Sequence, residues 1–286
     1  MARLPPWLTQ RAPDPSVLTD MKDLFDGLSL HTVCESAHCP NQGECFSKGT
    51  ATLLILGDVC TRNCRFCAVE KGSPSALDPA EPQNVAQAVD RLGLRYVVIT
   101  SVTRDDLPDG GAEHFAITVD AVKQSSPRTY IELLIPDFEG STDALKRVVD
   151  SAPHVISHNI ETVPRLYPEV RAKADYQRSL NLLGMIKSMN GRIMTKSGLM
   201  LGLGEHYDEV VMAMENLREV DCNILTLGQY LCPSAKHREV SEFVRPQRFE
   251  EYETLAVQMG FKAVASAPFV RSSFNALGLF EQVQRT

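Results

Sequence analysis

The stretch Ala51–Val69, ATLLILGDVCTRNCRFCAV, decides how the rest of the chain is read. Its first half, Ala51 to Leu56, is an apolar run of β type, and Gly57 ends it. Three cysteines follow at once, Cys60, Cys64 and Cys67, spaced C-x3-C-x2-C. A short apolar strand that runs directly into a loop of reactive side chains suits a parallel α/β sheet. In such sheets sites form where the strands end.

The pattern repeats downstream. Asn84 to Leu92 has helical spacing, with Val85, Ala88, Val89 and Leu92 on one face. Strands are expected at Tyr96–Thr100, Ile131–Ile135, Val155–Asn159, within Arg192–Met200, and at Asn223–Leu227. Helices are expected at Gly111–Gln124, Ser141–Ser151 with Ser141 as a cap, Tyr176–Met189, Tyr207–Val220 and Pro246–Met259. A last short run, Lys262–Ser266, is placed at a sheet edge. Six strands alternating with helices mean a parallel sheet of βα units. The full eight of a closed barrel are not visible, so the pattern allows a partial barrel or an open doubly wound sheet. The prolines at 5, 6, 13 and 15 are expected to keep residues 1–30 from forming a long helix. Residues 31–50 have little apolar periodicity, so metal ligation is expected to order them. The division is 1–50 as an extension, 51–266 as the catalytic domain and 267–286 as a tail.

Composition narrows the function. The 286 residues are 43% hydrophobic and 23% charged, which is ordinary for a globular core. A net charge of −7 disfavours general nucleic-acid binding. No run of eighteen apolar residues exists to cross a membrane, and the N-terminus lacks the apolar core of a secretory signal. A cytoplasmic protein is expected.

Six of the eight cysteines fall within residues 34–67. Cys34, Cys39 and Cys45 form C-x4-C-x5-C ahead of the second trio. In a reducing compartment, clustered cysteines argue for metal binding or catalysis over disulfides. Each trio supplies three thiols, whereas a structural zinc site normally closes with four ligands. Three thiolates on a four-iron cluster leave one iron open to another ligand. A zinc knuckle completed by His31 or His38 is the alternative for the first trio taken alone.

The C-x3-C-x2-C spacing, with Phe66 before its last cysteine, resembles the signature of radical S-adenosylmethionine (SAM) enzymes. The first trio, CESAHCPNQGEC, resembles the auxiliary-cluster motif of the lipoyl synthases. VITSVTRDDLPDGGA, IPDFEG, HNIETVPRLY, TKSGLMLGLGE, LGQYL and VRSS extend that likeness from Trp7 to Ala276. The resemblance implies a partial (β/α)6 TIM-type barrel with an N-terminal cluster-bearing extension and a C-terminal tail. It implies insertion of two sulfur atoms, at C6 and C8, into an octanoyl chain on a carrier lysine, with two SAM molecules cleaved. It implies two 4Fe–4S clusters, one on Cys60, Cys64 and Cys67, the other on Cys34, Cys39, Cys45 and Ser273, the latter serving as sulfur donor. The carriers would be 2-oxoacid dehydrogenase E2 subunits and the glycine cleavage H protein. Ferredoxin or flavodoxin would give the electrons, with no nucleic acid and no membrane involved.

The likeness makes Asn159, Glu161, Gly202, Gly204, Thr100 and Arg104 candidates for SAM, and Arg271 for the substrate. Each has a plainer role. Asn159 caps a turn, Glu161 forms an ion pair, the glycines shape a turn, and Arg104 pairs with Asp105. Ser273 caps a helix at Phe274–Leu279, and Arg271 pairs with an acid. His158 reads as a hydrogen-bonded residue, and Cys222 and Cys232 as buried small hydrophobes. Phe274 stands where the family has Tyr after RSS, and LCPSAKH has Ser234 for Thr. The rivals are a radical SAM enzyme whose second cluster only transfers electrons, and a zinc-organised binding module without catalysis.

Overall fold

The computed structural model describes residues 4–9, 15–37, 39–47 and 51–285; Pro13 and His38 lie outside the described residues. The N-terminal segment supplies α1 (Pro15–Gly27), β1 (His31–Thr32), α2 (Val33–Ser36) and α3 (Gln42–Ser47). Next come β2 (Thr52–Ile55) and two two-residue strands, β3 (Val59–Cys60) and β4 (Glu70–Lys71). Helices and strands then alternate through α4 (Glu81–Arg91), β5 (Tyr96–Ser101), α5 (Ala112–Ser125), β6 (Tyr130–Leu134), α6 (Thr142–Asp150) and β7 (Val155–Ser157). The chain continues through α7 (Tyr167–Val170), α8 (Tyr176–Met189), β8 (Met194–Leu201), α9 (Tyr207–Glu219) and β9 (Ile224–Gln229). It ends with α10 (Pro246–Gln258), β10 (Ala263–Ser266) and α11 (Ala276–Arg285).

The main sheet has eight strands in the order β1-β2-β5-β6-β7-β8-β9-β10. β1 pairs antiparallel with β2, and every other neighbouring pair is parallel. The register runs Val98↔Glu132, Glu132↔Val155, Val155↔Met194 and Ile224↔Ala263. β1 and β10 are the two edges, so the sheet does not close. It is nevertheless curled. Ala276 and Phe280 of α11 pack on Tyr96, Val98 and Val155, and Leu279 and Val283 pack on Ile224 and Ala263. Ala276 and Val283 are about 10 Å apart along a helix, whereas β5 and β10 in a flat sheet would be about 24 Å apart. One short helix reaches both because the sheet wraps around it. α11 therefore packs at the N-terminal ends of the strands.

Above that helix the interior carries a buried ion pair. Lys196 Nζ lies 2.9 and 3.1 Å from the two Glu132 carboxylate oxygens, which also accept from Tyr96 Oη at 2.6 Å and Ser157 Oγ at 2.8 Å. Every member is paired, as a buried charge requires.

Two expectations need correction. The N-terminal arm does form a long helix, the thirteen-residue α1. Proline at the first turn removes only an N–H that has no intrahelical partner. Within residues 31–47, Cys34 and Phe46 are buried in the main core, and the Phe46 ring lies 6.2 Å from that of Phe25. Ser273 does not cap a helix at Phe274, since α11 begins at Ala276. The run at Lys262–Ser266 pairs in parallel with β9, giving one more parallel strand than the six counted. The Ser141 cap is present, its Oγ accepting from Ala144 N at 3.2 Å. Among the described residues no helix is long and apolar enough to cross a membrane.

Candidate active site

A cavity of about 530 Å³ opens at the C-terminal ends of the parallel strands. Small-molecule sites span roughly 300–1,000 Å³. Cys34, Cys39, Cys60, Cys64 and Cys67 line it, together with Thr100, Asn159, Glu161, Arg271 and Ser273. Cys34 and Ser273, 239 positions apart in sequence, thus line the same cavity. Among the described residues no three His, Cys, Asp or Glu groups are gathered as for a single metal ion.

The second trio sits in the loop after β2. Cys60 ends the β3–β4 ladder opposite Lys71, and Cys67 N donates to Cys64 O at 3.2 Å. The loop is held from several sides. Thr61 N donates to Thr103 O at 3.0 Å, and Arg65 N to Val170 O at 3.0 Å. Arg238 N donates to Arg65 O at 2.9 Å, and His237 Nε2 lies 3.0 Å from Cys67 O. Arg62 is the main clamp. Its guanidinium makes two 2.8 Å bonds to Asp105 and one of 2.6 Å to Asp137. Burial pushes the Asp137 carboxyl up, but the Arg62 bond and charge outweigh it and hold Asp137 at about 2. The loops after β2, β5 and β6 are thereby tied together.

Burial pushes the Cys67 thiol up to about 12, and Cys64 in the same direction. Arg171 and Arg62 pull Cys64 down without overcoming burial. The thiols are neutral until a positive centre takes their protons, as metal ligation does. In the first trio, burial pushes Cys34 up to about 12. The Thr52 backbone opposes this, while Cys39, Cys45 and Glu35 add to it. Cys39 N donates to Cys34 O at 3.0 Å, and Cys45, in α3, is not part of the described cavity wall.

Past β7 the chain turns sharply. Glu161 has φ 64°, a left-handed conformation for a non-glycine residue, and is held by Glu161 N→Gly198 O at 2.9 Å and Met200 N→Glu161 O at 2.8 Å. Such strain persists where the surroundings over-determine it, often at functional sites. Asn159 Nδ2 donates to Glu161 Oε1 at 3.1 Å, leaving the buried Asn159 Oδ1 without a partner. Burial raises the Glu161 pKa, and neither Arg171 nor Asn159 reverses that. Asn159 Oδ1 is thus a buried acceptor without a donor, next to the buried Glu161 carboxyl, and both residues line the cavity. Arg171 stands beside them. It bonds Asn159 O at 2.9 Å and Ile160 O at 3.2 Å, and its buried Nε has no partner.

The C-terminal segment enters next to the first trio. Asn41 Nδ2 donates to Phe269 O at 2.6 Å. The half-buried Arg271 bonds Val270 O at 2.7 Å and, among the described residues, pairs with no carboxylate. Burial lowers its pKa, and Cys39 opposes that. The Ser273 hydroxyl lines the cavity and makes no hydrogen bond among the described residues.

Other sequence candidates are placed differently. Arg104 turns away from the cavity onto Asp106, at 2.8 and 2.9 Å, and Leu56 O, at 3.1 Å. Its partner is Asp106, because Asp105 is taken by Arg62. Gly202 and Gly204 have φ 98° and 106° and do not line the cavity. A Cβ on Gly202 would lie 2.3 Å from Gln229 Nε2 and 2.4 Å from Glu242 O, so this glycine serves loop packing. Thr100 lines the cavity, but its hydroxyl donates to Leu134 O at 2.8 Å. His158 is bonded at both ring nitrogens, to Ile135 O and Ser179 Oγ. Cys222 is buried as expected; Cys232 is half-buried and reaches the cavity wall. Arg62, Arg171, Asn41 and His237 escaped sequence reasoning. Only Arg62 left a signal, a cation set between two cysteines of one motif.

The family model described as the radical SAM superfamily matches residues 54–217. The lipoyl synthase of Caldanaerobacter subterraneus subsp. tengcongensis is 56% identical over 274 residues, 96% of each chain. That of Caldicellulosiruptor saccharolyticus is 56% identical over 272 residues, 95% of each chain. Among solved structures, methylornithine synthase superposes with a TM-score of 0.57 at 13% identity, over 85% of this chain and 74% of that one. Streptococcus suis SuiB bound to S-adenosylmethionine gives 0.58 at 12% identity, over 88% and 60%. These two likenesses speak for the fold.

Proposed function

The chain belongs to the lipoyl synthase family of the radical SAM superfamily, and we propose that its cavity is where two sulfur atoms are inserted, at C6 and C8, into an octanoyl chain on a carrier lysine. It is a radical SAM sulfurtransferase, and the family's cofactors are SAM and two 4Fe–4S clusters.

The residues present fit those groups. The two trios supply thiols, and burial pushes those of Cys34, Cys64 and Cys67 up so that ligation would be what takes their protons. Asn159 Oδ1 is an acceptor without a donor, and the Arg171 Nε a donor without an acceptor. Ser273 offers an uncommitted hydroxyl beside Cys34 and Cys39.

When bound on Cys60, Cys64 and Cys67, the first cluster supplies the electron that breaks a carbon–sulfur bond of SAM. The chain's own residues do the rest. Glu161 and Asn159 accept from the ammonium or ribose hydroxyls of SAM. Arg171, beside Asn159 and Glu161, would offer its positive charge to the SAM carboxylate. Arg62 fixes the loop between Cys60 and Cys64 against Asp105 and Asp137. Cys34, Cys39, Cys45 and Ser273 hold the sulfur source, and Arg271 offsets its negative charge. Ser oxygen is harder than thiolate, so an iron held by Ser273 would be the one least tightly bound. Leu54, Val102, Ile135 and Met200 give the cavity the apolar wall that an eight-carbon chain needs. We assign the carriers to E2 subunits and the H protein, the electron donor to ferredoxin or flavodoxin, and the compartment to the cytoplasm.

The observation carrying this reading is that Cys60, Cys64 and Cys67 line one cavity together with Cys34, Cys39 and Ser273. The test is anaerobic incubation of reconstituted protein with SAM, a reductant and a peptide bearing octanoyl-lysine. Mass spectrometry is expected to show two sulfurs gained and two hydrogens lost, with 5′-deoxyadenosine formed. Protein of verified iron and sulfide content that gives neither product overturns the reading. Ser273→Ala is expected to keep 5′-deoxyadenosine formation and lose sulfur insertion.

A further inference from the structure

The segment that carries Ser273 has no secondary structure of its own at the point where it meets the first cysteine trio. Two unrelated residues fix it there. After β10, Ala267 N donates to Leu227 O at 3.1 Å, and Gln229 N to Pro268 O at 3.1 Å, so the chain follows β9 for two more residues. It then crosses β9 at Gly228. A Cβ on Gly228 would lie 1.9 Å from Val270 O and 2.9 Å from Val270 C. Those are backbone atoms, which a rotamer change cannot move. No positive φ demands glycine at 228; the crossing does.

The second contact comes from the other side. Asn41 lies between Cys39 and Cys45 in sequence, and it is 1% exposed. Its backbone is locked to the trio, Cys45 N donating to Asn41 O at 2.9 Å. Its side-chain amide donates to Phe269 O at 2.6 Å. Of two consecutive carbonyls, that of Phe269 is thus held by the first-trio loop and that of Val270 packs directly on β9 at Gly228. Phe274 N then donates to Arg271 O at 2.9 Å, turning Arg271–Ser273 into the cavity.

We propose that Asn41 and Gly228 are positioning residues that clasp Phe269–Val270 so that Ser273 reaches the site formed by Cys34, Cys39 and Cys45. This rests on the reading of Ser273 as the fourth ligand. Neither residue touches the reacting atoms. Asn41 couples the ligand loop to the ligand tail directly, and Gly228 leaves the tail room to lie on β9.

The test uses the full chain with Asn41→Asp, Gly228→Ala and Ser273→Ala. Asn41→Asp keeps the shape and removes the donor. In the unreconstituted protein, amide hydrogen exchange of residues 269–273 is expected to accelerate about tenfold in Asn41→Asp, the loss of one good hydrogen bond, and more in Gly228→Ala. Ser273→Ala is expected to leave that exchange unchanged. In the reconstituted protein, all three variants are expected to alter the Mössbauer spectrum of the auxiliary cluster alike. The spectral response of the other cluster to SAM is expected to persist. If Ser273→Ala alters the spectrum while Asn41→Asp and Gly228→Ala keep wild-type spectra and exchange, the clasp is overturned and the ligand stands. If Ser273→Ala itself keeps the wild-type spectrum, the ligand reading falls and the proposal with it. Should Gly228→Ala not fold, Asn41→Asp decides the matter alone.

Discussion

Replacing Arg62 by methionine removes the centre of the clamp on the Cys60–Cys67 loop. The wild-type side chain is 5% exposed and faces Asp137 at 1% and Asp105 at 18%. Methionine fills much of the space but leaves both carboxylates without their main partner. Breaking a buried pair from one side costs about 3–5 kcal/mol. Arg178, 3.3 Å from Asp137 and half-exposed, retains part of the compensation, which points to about 3 kcal/mol. For a chain of this size that is a fall in Tm of roughly 6–12 °C. The assay is anaerobic thermal unfolding of the unreconstituted protein, run with Asp137→Asn and the double variant. The double variant should be less damaging than the sum of the singles, since the unpaired charge is gone. The pH dependence has a definite sign. Asp137, held at about 2, sits below the ordinary carboxylate value near 3.9. Its stabilisation, about 2 kcal/mol, is therefore present above pH ~4 and lost as pH falls through ~2. The Asp137→Asn protein lacks that loss. A Tm drop under about 2 °C in Arg62→Met, or full additivity in the double variant, refutes the clamp.

Glu161→Gln should weaken SAM binding about 10- to 100-fold, the worth of a charged hydrogen bond, with iron content unchanged; equal affinity by calorimetry removes Glu161 from the site. Because burial raises the Glu161 pKa, wild-type SAM affinity should begin to fall at a higher pH than an ordinary carboxylate dictates, and Glu161→Gln should abolish that dependence. Gly198→Ala puts a Cβ 2.7 Å from Thr226 Oγ1 and 3.1 Å from Asn159 Oδ1. Thr226 can rotate away, but Asn159 is displaced from Glu161, so SAM affinity should fall about tenfold with little change in Tm; wild-type affinity contradicts the role given to Asn159.

The parallel sheet was legible because its strands are contiguous apolar runs. Thr52–Ile55 is buried throughout, and Tyr96–Ser101 nearly so, which a sequence shows as unbroken hydrophobicity rather than alternation. Helix α8 was read to the residue, since its period is regular and Asp175 precedes it as a cap, accepting from Arg178 N at 2.6 Å. The thiols were legible from spacing. What stayed hidden depends on tertiary neighbours. Arg104 looked like the partner of Asp105, but Arg62, 43 positions earlier, takes that carboxylate. Gly202 looked like a cofactor approach, yet the atoms it makes room for belong to Gln229 and Glu242. Gly228 and Asn41 carry no local signature, since each matters through a carbonyl more than 40 residues away.

The position of α11 gives these distant contacts a common logic. Phe280, Leu279 and Val283 bury themselves among the first residues of β5, β7, β9 and β10. Burying each such side chain is worth about 1.5–3 kcal/mol. The helix is therefore anchored at one end of the sheet, while Ser273, three residues before it, faces the cavity at the other. Segment 267–270 lies on the last residues of β9, the strand that supplies Gly228, and the chain returns from the cavity to α11 through Phe274 and Asn275. The tail is fixed at its helix, at Phe269–Val270 and at Pro268, leaving Arg271–Ser273 as the stretch between anchors. If Ser273 is the fourth ligand proposed above, such a stretch would suit it. It can shift locally without unseating α11 or opening the sheet.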